Sequence, residues 1–200
     1  LTRKFRKYVA RGKGRSYIAT KLAERDARHE KAGNSRYMIE PNVKEGKGGL
    51  RDLHSLYWIA RFLDKDDKVN DAQHPQNYVD LGLFEKAAAT RFLRAADFLW
   101  RARIWLHYIS GRPNESLSFD KQTVLARKMG YASGPIEIAV EKFMKEYFIN
   151  AREVGALTRI ACAKLEAQKS ILLPKGLDVF LPNSRRNIKN TDNHSRKTKR

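Results

Sequence analysis

Two stretches of this chain repeat apolar residues every three or four positions, and that spacing decides the fold class. Phe84, Ala88, Phe92, Ala95, Leu99, Ala102, Leu106 and Ile109 form one series; Phe143, Tyr147, Ala151, Val154, Thr158, Ala161 and Leu165 form a second, heptad-like one. At about 3.6 residues per turn these positions share one helix face, and an apolar face has to be covered. The first series predicts a helix from about Leu83 to Ile109, ended by Gly111. The second predicts the longest element, started by Ser133 and Pro135 and running to about Gln168. No alternating pattern is long enough for a strand, and no internal repeat occurs. The expectation is an all-α fold: an antiparallel helical bundle of two long and two or three shorter helices.

Shorter segments complete the reading. Ser16 is a good N-cap for a first helix to about Lys31, with Ile18, Leu22 and Ala23 on one face and Gly33-Asn34 closing it. Tyr37–Ile39 reads as briefly extended, and Pro41 keeps Glu40 out of helical geometry. A second helix starts near Gly49 or Leu50 and turns Leu53, Leu56, Ala60 and Leu63 inward. Asp64–Gln76 is a polar loop, Pro75 and Gly82 bracket a short helix, and Asp120 caps another that stops at Gly130.

The chain has 200 residues, enough for one domain with tails, and 42% of them are apolar, enough for a core. The boundaries read as a basic segment 1–15, a helical domain 16–170, and a connector with a basic, disordered tail 171–200. No run of 18 apolar residues and no signal-peptide core are present. The single cysteine, Cys162, excludes an internal disulfide, fits a reducing cytoplasm, and reads as a small buried apolar residue. A net charge of +19 invites a nucleic-acid reading, but its distribution argues otherwise. Residues 1–15 hold seven Lys/Arg and no acid, and residues 183–200 hold seven with one Asp, leaving +6 for the 167 residues between. Basic ends adhere weakly to any polyanion, with strong salt dependence.

The chemically suggestive stretch is Glu40–His54: Glu-Pro-Asn-Val-Lys-Glu-Gly-Lys-Gly-Gly-Leu-Arg-Asp-Leu-His. Gly46, Gly48 and Gly49 allow a sharp turn and close approach to a ligand. Free N–H groups at the start of the following helix favour an anion, most simply a phosphate, and Lys44, Lys47 and Arg51 surround that point. Asp52 would orient Arg51 or Lys44, or simply complement the helix dipole. His54, Trp58 and Phe62 fall on one side of the helix, where core packing is the plainer role and base stacking the sharper one. Trp100 and Trp105 read as packing or as contact with a neighbouring domain.

This stretch resembles the signature of the bifunctional PII uridylyltransferase/uridylyl-removing enzymes, and more loosely a motif of glutamine synthetase adenylyltransferase. The resemblance continues through Lys21–His29, Asp97–Arg103, Leu117–Asp120, Arg127–Tyr131, Phe143–Phe148 and Leu157–Ile160, covering roughly residues 15–170. It implies the helical domain behind a magnesium-dependent nucleotidyltransferase domain, in a cytoplasmic enzyme that moves UMP from UTP onto the PII nitrogen-signal protein. The same enzyme removes UMP by hydrolysis, in response to glutamine. By resemblance, Lys44, Gly46, Lys47, Gly48, Gly49, Arg51 and Asp52 lie next to the nucleotide.

The family's catalytic motifs are missing here. There is no Gly-Ser dipeptide and no His-Asp dipeptide, and Asp64-Lys65-Asp66 reads as a solvated loop, not a metal site. The five histidines, His29, His54, His74, His107 and His194, have no ligand spacing. The chain should therefore carry no catalytic and no metal-binding residue of its own, with Mg²⁺ held by the parent's other domain and PII, UTP and the adjacent nucleotidyltransferase and phosphohydrolase domains as partners. A first residue other than Met and an unplaceable basic ending suggest a piece of a longer protein, cut or frameshifted. Two other classes stay open: a purely structural interdomain scaffold, and an RNA-binding module in which Gly46–Gly49 acts as a KH-type Gly-x-x-Gly loop.

Overall fold

The computed structural model describes residues 14–31, 38–63, 74–131 and 134–171. Among them are six helices: α1 (Gly14–Lys31), α2 (Leu50–Leu63), α3 (Pro75–Asp80), α4 (Lys86–Ser110), α5 (Phe119–Lys128) and α6 (Ile136–Ile171). The fold is all-α among these residues. The one β-type pairing among them is an isolated antiparallel bridge between Asn42 and Ser116, so the described residues form none of the strands a KH domain needs. Gly33-Asn34, Tyr37, the Asp64–Asp66 pair with most of the expected polar loop, Ser133 and both terminal segments lie outside the described residues.

The 36-residue α6 is the wall on which the rest is built. It packs on α4, α5 and α2, while α1 lies on α2 and α3 on α4. All seven residues of its predicted stripe are buried, from Phe143 (0% exposed) to Leu165 (3%). The α4 and α6 helices run antiparallel: Phe98 meets Phe143, and Arg91 donates to Glu153 near the opposite end. The α1 and α2 helices do the same, with Tyr17 stacked on Phe62 at one end and Arg28 joined to Asp52 at the other.

Helix ends follow backbone chemistry. Gly111 takes the left-handed conformation (φ 58°) that closes α4, as its sequence predicts. The start of α4 falls at Lys86, leaving Leu83 and Phe84 buried in the turn before it, with the Phe84 ring against Phe92 and Tyr78. Two caps differ from expectation. The α1 helix begins at Gly14, two residues before Ser16. At α5 the capping position belongs to Ser118, and Asp120 lies in the first turn, accepting a hydrogen bond from the Ser118 hydroxyl. Four shorter helices accompany the two long ones.

Phe143 is enclosed by the rings of Phe98 and Tyr131. Phe143→Ala is expected to lower the unfolding free energy by about 3–5 kcal/mol, read from urea titrations. Ile149→Ala, on the same helix but 44% exposed, should stay within about 0.5 kcal/mol of the parent chain.

Candidate functional site

The loop before α2 is pinned where it begins, ahead of its own turns. Leu117 N–H donates to Pro41 O and Val43 N–H to Glu115 O, while Gln122 ties Ile39 O to Leu117 O through its amide. Asn42 then organises the turn: its side-chain oxygen accepts from the N–H groups of Lys44 and Glu45, at 3.0 and 2.7 Å. Val43 O and Lys44 O receive the N–H groups of Leu50 and Arg51, so the loop folds over the start of the helix.

Two glycines are required by this path. Gly48 has φ +80°, and a Cβ there would lie 1.9 Å from Ala151 O on α6. At Gly49 a Cβ would meet Val43 O at 2.7 Å and Gly46 O at 2.8 Å. The glycines therefore serve close backbone packing. The anion nest expected at Gly48-Gly49 is not open. Gly48 N–H donates to Asp52, Gly49 N–H to Gly46 O, and Asp52 N–H to Gly49 O. The chain's own acceptors have filled the donors that the sequence left free.

Asp52 is the centre of the arrangement and also differs from expectation. Its side chain is fully buried and pairs with neither Arg51 nor Lys44. It accepts instead from Arg28 Nη2, from His29 Nε2 at 2.9–3.0 Å and from Gly48 N–H at 2.8 Å. Burial pushes this carboxyl up; the His29 and Gly48 hydrogen bonds and the Arg28 charge outweigh it and hold the carboxyl below its ordinary value. Sequence reasoning missed both partners, although Ile18, Leu22, Arg25 and His29 recur at helical spacing and so place His29 on the inward face of α1.

The remaining cations of the loop are more open. Arg51 donates twice to Glu45, at 3.0 and 3.2 Å, and keeps 43% of its side chain exposed. Lys44 lies 3.7 Å from Glu115, which also binds Arg103. The hydrogen bonds from Arg103 hold Glu115 below the ordinary carboxylate range. Lys47 and Asp52 line a cleft of about 250 Å³ between α1 and α6. His54 borders a larger hollow of about 1070 Å³ between α2, α3 and α4 and rests against Trp100. Burial first, then Arg51, Arg103 and Lys44, lowers its affinity for a proton. No stacking platform forms from His54, Trp58 and Phe62: Trp58 is 49% exposed and Phe62 stacks on Tyr17. Trp105 packs against Tyr108 beneath Lys128. Among the described residues no three His, Cys, Asp or Glu side chains gather as a metal site, and no helix is long and apolar enough to cross a membrane.

This is an all-α domain whose glycine-rich basic loop is packed against α6 and keeps Arg51 partly exposed. Residues 16–162 match the family described as GlnD PII-uridylyltransferase, and the chain belongs to that family. It is 49% identical over 182 residues, 91% of its length, to the bifunctional uridylyltransferase/uridylyl-removing enzyme of Phenylobacterium zucineum (strain HLK1). It is 48% identical over 92% of its length to that of Caulobacter vibrioides (strain NA1000 / CB15N), and 49% identical over 85% to that of Bradyrhizobium sp. (strain BTAi1 / ATCC BAA-1182). The chain spans only 18–19% of the length of these curated relatives. No solved structure matches it.

Removing one partner of a buried ion pair strands the other charges, so Asp52→Ala is expected to cost about 3–5 kcal/mol of stability, read from urea titrations at pH 7. The pH dependence has a definite sign. The folded-state pKa lies below the unfolded one, so the contribution of Asp52 is complete above the unfolded value near 3.8 and is lost as pH falls towards the folded value. Asp52→Asn should therefore flatten the acid limb of a stability-against-pH curve; an unchanged limb would show that other carboxylates govern it.

Proposed function

We propose that this chain is the helical portion of an enzyme that transfers UMP from UTP to the PII signal protein and removes it again by hydrolysis, with loop 44–52 flanking the nucleotide. Family membership over residues 16–162, which includes the loop, carries the reading. The loop's physical state supports it. Its backbone is held by internal bonds, so Lys44, Lys47 and Arg51 are offered from a fixed frame with little reorganisation when an anion arrives. Arg51 suits a phosphate because its planar fork donates two parallel hydrogen bonds. In the parent enzyme, magnesium would be held by a nucleotidyltransferase domain outside this chain and would neutralise charge as pyrophosphate leaves. A phosphohydrolase domain would remove UMP, and glutamine would set the balance. The residues here would position the triphosphate and screen its charge.

In the intact enzyme, Arg51→Ala should raise KM for UTP or lower kcat at least tenfold, roughly 1.4 kcal/mol, with Arg51→Lys recovering part of the loss. Unchanged kinetics would overturn the assignment. The saturation of the loop's N–H groups by its own acceptors favours a second reading, an interdomain scaffold that touches no nucleotide. Chemical-shift changes confined to Gly46–Asp52 on adding UTP would decide for the nucleotide.

A further inference from the structure

The hollow of about 1070 Å³ between α2, α3 and α4 is of ligand size, since small-molecule pockets run to about 300–1,000 Å³. Leu53, Tyr78 and Phe92 line it and are buried, with the Tyr78 and Phe92 rings edge to face at 5.6 Å. Beside its core stripe α4 carries a second apolar row, Leu93, Ala96, Trp100 and Ile104, and this row also lines the hollow. Ile104 is 61% exposed, so the row is open to water where a solvated helix face would be polar. The α2 helix adds His54 and Tyr57. Two further groups of the lining can only donate hydrogen bonds: the indole N–H of Trp100 and the guanidinium of Arg94. Among the described residues neither has a hydrogen bond or an ion pair.

From this arrangement we infer that the hollow is a nucleobase pocket, which takes the flat ring of a nucleotide against Trp100 and Tyr57 while the phosphates leave it past Arg103 towards loop 44–52. Three features select that chemistry. Aromatic side chains suit a ligand with π-faces, and stacking accepts any base. Donors without partners suit a ligand rich in acceptors, as the carbonyls of uracil are. The hollow also runs into the cations of the loop, which a purely apolar ligand would not need. Trp100 rests against His54 at 5.6 Å, and the Arg103 guanidinium lies over the Trp100 ring at 5.4 Å. Arg103 binds Glu115, which lies 3.7 Å from Lys44. Burial first, then Arg51, Arg103 and Lys44, holds His54 below its ordinary pKa, so at pH 7 its neutral ring can both donate and accept. The carboxylates on this surface are Asp97, 3.9 Å from Arg101, and Glu45 and Glu115, each carrying an arginine. The pocket rests on the proposal that loop 44–52 flanks the nucleotide only for the direction in which the phosphates lie.

The test uses the full 200-residue chain at pH 7 and constant ionic strength, titrated with uridine, UTP and inorganic tripolyphosphate and read by amide chemical shifts. Uridine, which has no phosphate, should move the amides of residues 54–57 and 93–101 saturably, and tripolyphosphate should leave them in place. Trp100→Leu should bind uridine and UTP about tenfold more weakly, and Trp100→Phe, which keeps a ring, should recover most of the loss. Arg94→Gln, at an exposed position outside the core, should weaken uridine about threefold and decides the matter if Trp100→Leu does not fold. A parent chain with no saturable response to uridine or UTP at these amides would overturn the pocket. So would a folded Trp100→Leu chain, or failing that an Arg94→Gln chain, that binds uridine like the parent. Phenol that binds as tightly as uridine would overturn the nucleobase assignment, since any ring would then do. The two readings separate in the same titrations. Uridine in the hollow, with loop amides that neither UTP nor tripolyphosphate moves, keeps the pocket and removes the loop reading. Loop amides that respond to UTP beside a silent hollow keep the loop reading and remove the pocket.

Discussion

The buried carboxylate of Asp52 is the interaction on which the arrangement of loop, α1 and α2 depends. A lone carboxylate in an apolar interior would take up a proton or draw in water. Here it collects a guanidinium and an imidazole from α1 and a backbone N–H from the loop. Arg28 and His29 are adjacent on α1 but differ by about 100° around its axis, so both reach one carboxylate only if that helix lies at a fixed height and rotation on α2. The same carboxylate, through Gly48, fixes the turn ahead of its own helix. One side chain thereby sets a helix packing and a loop conformation together.

The long helix supplies the other half of the constraint. With Gly48 backbone packed this closely on Ala151 O, the loop and α6 have to move as one body. Ala151 belongs to the same stripe as Phe143 and Val154, whose burial holds α6 against α4 and α5. A displacement of the loop is thus resisted by the core itself, through van der Waals contact and not through a flexible ion pair. That rigidity explains why a segment with three glycines can serve as a frame.

Much of this was legible before any coordinates. The seven-residue stripe of α6, the inward residues of α2 and the glycine ending α4 were read from spacing and backbone chemistry, because helical periodicity and glycine's left-handed conformation are local properties. The partners of Asp52 were not legible, because they lie 23 and 24 residues away and the choice among 41 Lys and Arg is made by how α1 lies on α2. The filled helix start is a similar case. A sequence can show that Gly48-Gly49 precedes a helix, but not that Val43 O and Lys44 O fold back to take its N–H groups. The cap at Ser118 in place of Asp120 was missed for a smaller reason: both residue types cap helices, and two residues separate them.

The same geometry divides the loop's charges by how readily they can be exchanged. Asp52 and Arg28 meet where water is excluded, and replacing one partner by a ligand would strand the other. Arg51 and Glu45 meet at the surface, 43% and 38% exposed, where an ion pair is worth about 0–1 kcal/mol. Arg51 spends two of its five donors on Glu45, and a phosphate with two or three negative oxygens can outcompete one carboxylate for the rest. Lys44 is held more loosely still, at 3.7 Å from a Glu115 already engaged by Arg103. The buried set therefore builds the frame, and the surface set stays available to an anion with little cost in stability. A motif that joins both kinds of residue within nine positions sets a buried ion pair beside an exposed one, which is why residue type alone could not tell that Asp52 is enclosed while Arg51 stays open to solvent.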